Sequence, residues 1–104
     1  MPQPQTKKPL DNDSSLFIRP KGILCRDEYW LFLKNRYHLT SRETQVAILI
    51  CRGFTNDEIA EALKISQSTV KTHLRNLFRR VRVNSRILLL LQFIEDVTSS
   101  YGKI

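Results

Sequence analysis

Lys71, Arg75, Arg79 and Arg82 stand at i, i+4, i+8 and i+11, a spacing that lines cations along one side of an α-helix. Gln67, Ser68 and Thr72 fall at the N-terminal end of the same side. Such a stripe attracts polyanions. Arginine and lysine can reach the guanine acceptors in a major groove, a threonine methyl can meet thymine, and cations farther along a helix meet phosphates. On this reading Lys71, Thr72, Arg75, Gln67 and Ser68 read base edges, while Arg79 and Arg82 contact phosphate. The competing reading is a basic face that is merely solvated.

The charge of the whole chain leans the same way. Seventeen Lys and Arg against ten Asp and Glu leave a formal +7, with an isoelectric point near 9.9. Between Ala62 and Ile94 no acidic residue occurs, whereas Lys64, Lys71, Arg75, Arg79, Arg80, Arg82 and Arg86 all fall there. Segregation of one sign is a stronger mark of an anionic partner than the total.

A stripe needs a helix under it and a scaffold behind that helix. Val70, Leu74, Leu77, Phe78 and Val81 repeat in helical register about 100° around the helix from the cations, and Ser66 is a candidate N-cap, so a helix is predicted to run from Ser66 to Val81. Before it, Thr55 and Glu58 have capping-box spacing, with Ile59, Ala60 and Leu63 inward on a short helix over 56–63. Lys64 and Ile65 form the turn between the two. Thr40 and Glu43 repeat the box at the head of a helix over 41–52, and Gly53 stands where a left-handed C-terminal cap belongs. Two helices across a short turn, residues 55–81, form a helix-turn-helix pattern, although periodicity alone also fits a generic helix pair. The helix starts at Thr55–Asn56 and Ser66–Gln67 offer free amides to phosphate, with hydroxyls from Thr55, Ser68 and Thr69.

The flanks have other characters. Residues 1–20, rich in Pro, Gln, Lys, Asp and Ser, are expected to form a disordered or extended arm. Residues 21–37 carry an aromatic helix from Asp27, whose Tyr29, Trp30, Leu33 and Tyr37 suit packing better than ligand binding. A last helix from Asn84 or Ser85 to about Thr98 holds Ile87, Leu88, Leu89, Leu90, Leu91, Phe93, Ile94 and Val97, more apolar surface than one stripe requires. A second copy meeting Ile87, Leu90, Leu91 and Ile94 would bury the surplus as a homodimer, or the aromatic helix would fold back over it; both can hold at once.

Enzyme chemistry finds little support. There are two histidines, His38 and His73, no Gly-rich phosphate loop and no metal-ligand spacing, so no catalytic residue, metal or cofactor is assigned. Cys25 and Cys51 lie in no redox spacing and are read as reduced, in a cytoplasmic setting. The run Ile87–Ile94 is too short to span a bilayer, and no membrane role is expected.

The order L-T-S-R-E at Leu39–Glu43, Gly53, T-N-D-E-I-A-E-A-L-K-I-S at Thr55–Ser66, T-V-K-T-H at Thr69–His73, then Asn76, Val83 and Arg86 closely resembles the LuxR-type (NarL/FixJ/GerE-like) helix-turn-helix domain. The resemblance covers about Tyr37 to Ile94. It implies an all-α, four-helix domain over 38–99, here with an extra N-terminal helix, that binds double-stranded DNA and regulates transcription, usually as a dimer. It also implies base reading by Lys71, Thr72 and Arg75, backbone contacts at Thr55, Asn56 and Thr69, a packing or phosphate role for His73, and dimer contacts in the helix after Val83. Gln45 replaces a usual acid, Arg80–Val81 replace a usual Lys-Leu, and Arg75 stands where Lys is frequent. About 37 residues precede the domain, too few for a receiver domain. The chain therefore reads as a stand-alone regulator without its own receiver or ligand-sensing domain, the alternative being a piece of a longer protein. The functional alternative is an interaction module that pairs with a longer LuxR-type regulator, with the N-terminal helix as a possible partner-protein site.

Overall fold

The computed structural model describes Leu24 and residues 26–102. Among them are five helices and no strand: α1 (Asp27–Tyr37), α2 (Ser41–Cys51), α3 (Asn56–Leu63), α4 (Gln67–Val81) and α5 (Arg86–Tyr101). The expected arm, residues 1–20, and the start of the 21–37 segment lie outside the described residues, as does Cys25.

Side-chain caps mark the starts of α2, α3, α4 and α5, whereas Arg26 ahead of α1 supplies none. Thr40 accepts from the Glu43 amide at 3.0 Å while Glu43 accepts from the Thr40 amide at 3.0 Å. Thr55 and Glu58 repeat this exchange. Ser66 and Ser85 cap α4 and α5 by accepting from the amides of Thr69 and Leu88. Each box satisfies two amides that the first helical turn leaves without partners.

The ends are less conventional. Gly53 takes the expected left-handed conformation after α2, at φ 87°. His38, Lys64 and Arg82 adopt it too, with φ of 55°, 59° and 66°, and terminate α1, α3 and α4 without a glycine. The reversals after α3 and α4 are closed by Ile65 N–H to Ala60 O and Val83 N–H to Phe78 O, both 3.0 Å. These six-residue closures satisfy carbonyls at the helix ends.

One core joins all five helices. Leu33, Val46, Ile59, Val70, Leu77, Leu89, Phe93 and Val97 are fully buried, one or more from every element; each such side chain contributes roughly 1.5–3 kcal/mol by leaving water. The aromatic helix folds back onto α5, with the Trp30 and Tyr37 rings 5.6 and 6.0 Å from Phe93 and the Tyr29 and Phe32 rings 5.1 and 5.8 Å from Tyr101. The Trp30 indole N–H donates to Leu24 O at 2.7 Å, tying in the chain ahead of α1. α5 runs to Tyr101, beyond the expected end near Thr98, because Tyr101 packs against α1.

This extension changes the place of Asp96. Adjacent Glu95 and Asp96 resemble an acidic pair at a helix end, but Asp96 lies within α5 and is buried. Its carboxylate accepts from the Tyr37 hydroxyl and from Gln92 at 3.0 Å, and pairs with Arg36 at 3.5 Å. Burial, aided by the hydrogen bond to Asp96, raises the Tyr37 hydroxyl above its ordinary 10.0. A polar lock of this kind stands beside the aromatic contacts between α1 and α5.

Candidate nucleic-acid interface

α4 separates its two faces sharply. Val70, Leu74, Leu77 and Val81 are buried against α2 and α3, while Gln67, Ser68, Lys71, Thr72, Arg75 and Arg79 are exposed. All five residues expected to read bases thus share the outer side of one helix. Arg79 continues the stripe, with a long 3.4 Å contact to Asn76 Oδ1. Arg82, expected as its last member, instead occupies the left-handed cap beyond α4; it is exposed there.

The hydroxyl groups are partly engaged at home. Ser66 Oγ lies 2.8 Å from Thr69 Oγ1 and 3.2 Å from Ser68 Oγ, a cluster at the start of α4. Thr69 and His73 are half-buried. The Thr72 hydroxyl donates to Ser68 O at 3.1 Å, and the side chain is exposed.

α3 stands in front of α4, held by buried Ile59 and Ala60. The small Ala60 permits close approach, and the turn through Lys64, Ile65 and Ser66 reverses the chain within three residues. Thr55 is exposed at the head of α3, with its hydroxyl accepting from the Glu58 amide; its own amide, expected to be free for phosphate, donates instead to Glu58 Oε1 at 2.9 Å because the capping box closes on it. Asn56 is half-buried, and its Oδ1 accepts from Arg86 at the start of α5.

Two arginines of the basic run have partners inside the fold. Arg80 Nε lies 3.2 Å from Glu43 Oε1, and its Nη1 donates to His38 O at 2.8 Å. Arg86 Nη1 donates to Phe54 O at 3.1 Å, beside its bond to Asn56. Lys64, Lys71, Arg75, Arg79 and Arg82 make no ion pair with an acid among the described residues. Sequence reasoning assigned Arg80 and Arg86 no structural role, since nothing local separates them from the cations around them.

On α5 the expected dimer residues divide. Ile87 and Leu91 are 71% and 55% exposed, and Leu88, absent from the expected set, is 46% exposed. Leu90 and Ile94 are half-buried against the core. The aromatic contacts to α1 fall on Phe93 and Tyr101, farther along the helix, so α1 leaves this stripe uncovered. The aromatic side of α1 is itself occupied: Tyr29, Trp30 and Leu33 are buried, and Leu31 is its large exposed apolar side chain.

Among the described residues no cluster of His, Cys, Asp and Glu could hold a metal ion. No helix there is long and apolar enough to cross a membrane. A short helix, a three-residue turn and a longer helix with a basic outer face define a helix-turn-helix DNA-binding domain. Residues 37–91 match the family described as GerE, bacterial regulatory proteins of the luxR family. That is more than half of the chain, and the protein belongs to this family.

Its relatives include the nitrate/nitrite response regulator protein NarP of Escherichia coli, 42% identical over 58 residues, or 56% of this chain and 27% of NarP. A nitrate/nitrite response regulator homolog of Haemophilus influenzae is 46% identical over 58 residues, covering 56% of this chain and 28% of its own length. The transcriptional regulator MalT of Vibrio campbellii is 46% identical over 48 residues, 46% of this chain and 5% of MalT. The chain therefore spans less than a third of these relatives. No solved structure gave a significant match.

Proposed function

We propose that this protein binds duplex DNA sequence-specifically through α4, as a transcription regulator. The observation that carries the reading is the outer face of α4, where Gln67, Ser68, Lys71, Thr72 and Arg75 are exposed together above a buried apolar face. α4 enters the major groove, where its N-terminal residues meet base edges. Lys71 and Arg75 donate to base acceptors, and the methyl of Thr72 suits thymine. Arg79, Arg82, Thr55, Asn56, Thr69 and His73 supply or support phosphate contacts around that helix. Asn56 does so through its amide, its side chain being engaged by Arg86.

The protein acts as a homodimer through the first half of α5. Ile87, Leu88 and Leu91 form an exposed apolar stripe, with Leu90 and Ile94 beside it. A two-fold pair would bury this stripe and present two α4 helices to paired half-sites. Selection from a random duplex pool at moderate salt tests the reading. Enrichment of a two-fold repeat supports it; a single short site removes the dimer; binding without enrichment leaves only the phosphate attraction and removes sequence specificity.

A further inference from the structure

The start of α5 and the head of α3 do not close fully on one another. An open groove lies between them, with Ile50, Phe54, Asn56, Arg86, Ile87 and Leu90 in its wall. Arg86 reaches across to the α3 side, donating one nitrogen to Phe54 O at 3.1 Å and the other to Asn56 Oδ1. Phe54 lies in the connection before α3 and Asn56 is the first residue of that helix, so one planar group grips both sides of the Thr55 cap. A guanidinium has the fork needed for two acceptors at fixed separation, which an ammonium group lacks.

We infer that Arg86 is a positioning residue that fixes the helix-turn-helix relative to α5. Packing across an open groove leaves room for the head of α3 to shift, and the two hydrogen bonds remove that freedom. Arg86 is followed directly by Ile87 and Leu88 of the exposed stripe. Rotation of α3 against α5 would therefore alter the separation of the two α4 helices in a pair. This consequence rests on the dimeric reading above; the grip of Arg86 on α3 does not. The substrate-level effect is specificity for the distance between half-sites rather than for the bases within one.

Two measurements on the full chain separate these levels. In hydrogen exchange on the free protein, Arg86→Gln is expected to speed exchange at the amides of residues 54–59, leaving the central amides of α4 unchanged. Arg86→Lys is expected to restore this protection only in part. In binding to duplexes whose half-site separation is stepped by single base pairs, Arg86→Gln should flatten the preference for the best separation while a single half-site is held nearly as before. Asn56→Ala should weaken the preference in the same direction, and the double variant should lose less than the sum.

Unchanged exchange at 54–59 overturns the positioning role whatever the DNA data show. Equal loss at every separation and on the single half-site overturns the spacing role and makes Arg86 a general support or a phosphate contact. Additive effects of Arg86→Gln and Asn56→Ala overturn their coupling. Absence of any spacing preference in the wild-type chain removes the dimeric reading and the spacing role with it; changed exchange would then still support the grip on α3.

Discussion

Arg80 on α4 and Glu43 on α2 form an ion pair, Nε to Oε1 at 3.2 Å, at the place where the first capping box begins. The same carboxylate oxygen accepts from the Thr40 amide, and the same guanidinium donates to the left-handed cap of α1 at His38. Glu43 is buried, whereas the Arg80 side chain is 41% exposed, so solvent screens the pair from one side. Glu43→Ala is expected to cost about 2 kcal/mol, below the full penalty for breaking a buried pair. Arg80→Ala should cost about 1–2 kcal/mol by leaving a buried carboxylate short of a partner. Urea unfolding of both single variants and the double variant checks this: the losses should be clearly less than additive.

Replacing the exposed cations of α4 should leave stability nearly unchanged and alter DNA binding in two distinct ways. Lys71→Ala and Arg75→Ala should each cost about 1–3 kcal/mol on the selected sequence and relax base preference. Arg79→Ala should weaken all sequences alike and reduce the salt slope by about one. Anisotropy titrations over a salt series, on selected and scrambled duplexes, distinguish the two. Equal losses on both duplexes for Arg75→Ala would count against base reading.

The left-handed cap at His38 invites a stabilising change. A Cβ is disfavoured there by about 1–2 kcal/mol, and glycine returns part of that gain through its freer unfolded chain. His38→Gly is therefore expected to raise stability by about 0.5–1 kcal/mol, measured by chemical denaturation. The backbone carbonyl that receives Arg80 remains in place.

Stability should fall at high pH. Burial pushes the Cys51 thiol from an ordinary 9.0 up to about 12. The unfolded thiol ionises above about 9 while the folded one resists, so its contribution is intact below pH 9 and is lost between 9 and 12. Tyr37, raised above 10.0, acts in the same direction at higher pH. The loss from each group is at most about 1.4 kcal/mol per pH unit. Urea midpoints across the alkaline range should decline less steeply in Cys51→Ala than in wild type. In a Cys25→Ser background, Cys51 should also react slowly with alkylating reagents until the protein unfolds.

Charging the α5 stripe tests pairing without attacking the core. Ile87→Glu combined with Leu91→Glu places both new carboxylates at exposed positions. Each should shift folding stability by no more than about 0.5 kcal/mol. Sedimentation should then report a folded monomer, and preference for paired half-sites should disappear. A wild-type monomer at the DNA-binding concentration would sink the dimer directly.

The parts legible in the sequence are those set by neighbours in the chain. The capping residues Thr40, Thr55 and Ser66 each lie three residues from the amide they accept, so spacing alone locates the starts of α2, α3 and α4. The outer face of α4 follows from its period against Val70, Leu74, Leu77 and Val81. Arg86 and Arg80, by contrast, bind partners 30 and 42 residues away, and within a basic run they resemble the cations beside them. Asp96 is joined by Tyr37 from 59 residues away, which its adjacency to Glu95 conceals. The ends of α1, α3 and α4 fall where the sequence places them, but the left-handed backbone at His38, Lys64 and Arg82 escaped for a related reason: it is held by the closure around each residue rather than by the residue's own type.

The aromatic hold of α1 on α5 falls on Phe93 and Tyr101, whereas the exposed leucines and isoleucine lie within 87–91. One helix thus serves two clients from separate stretches of its length. Mutations that loosen or refashion the N-terminal attachment need not disturb the other stretch, nor the reverse. In evolutionary terms, a lineage could exchange what precedes the domain while inheriting the rest of α5 unaltered.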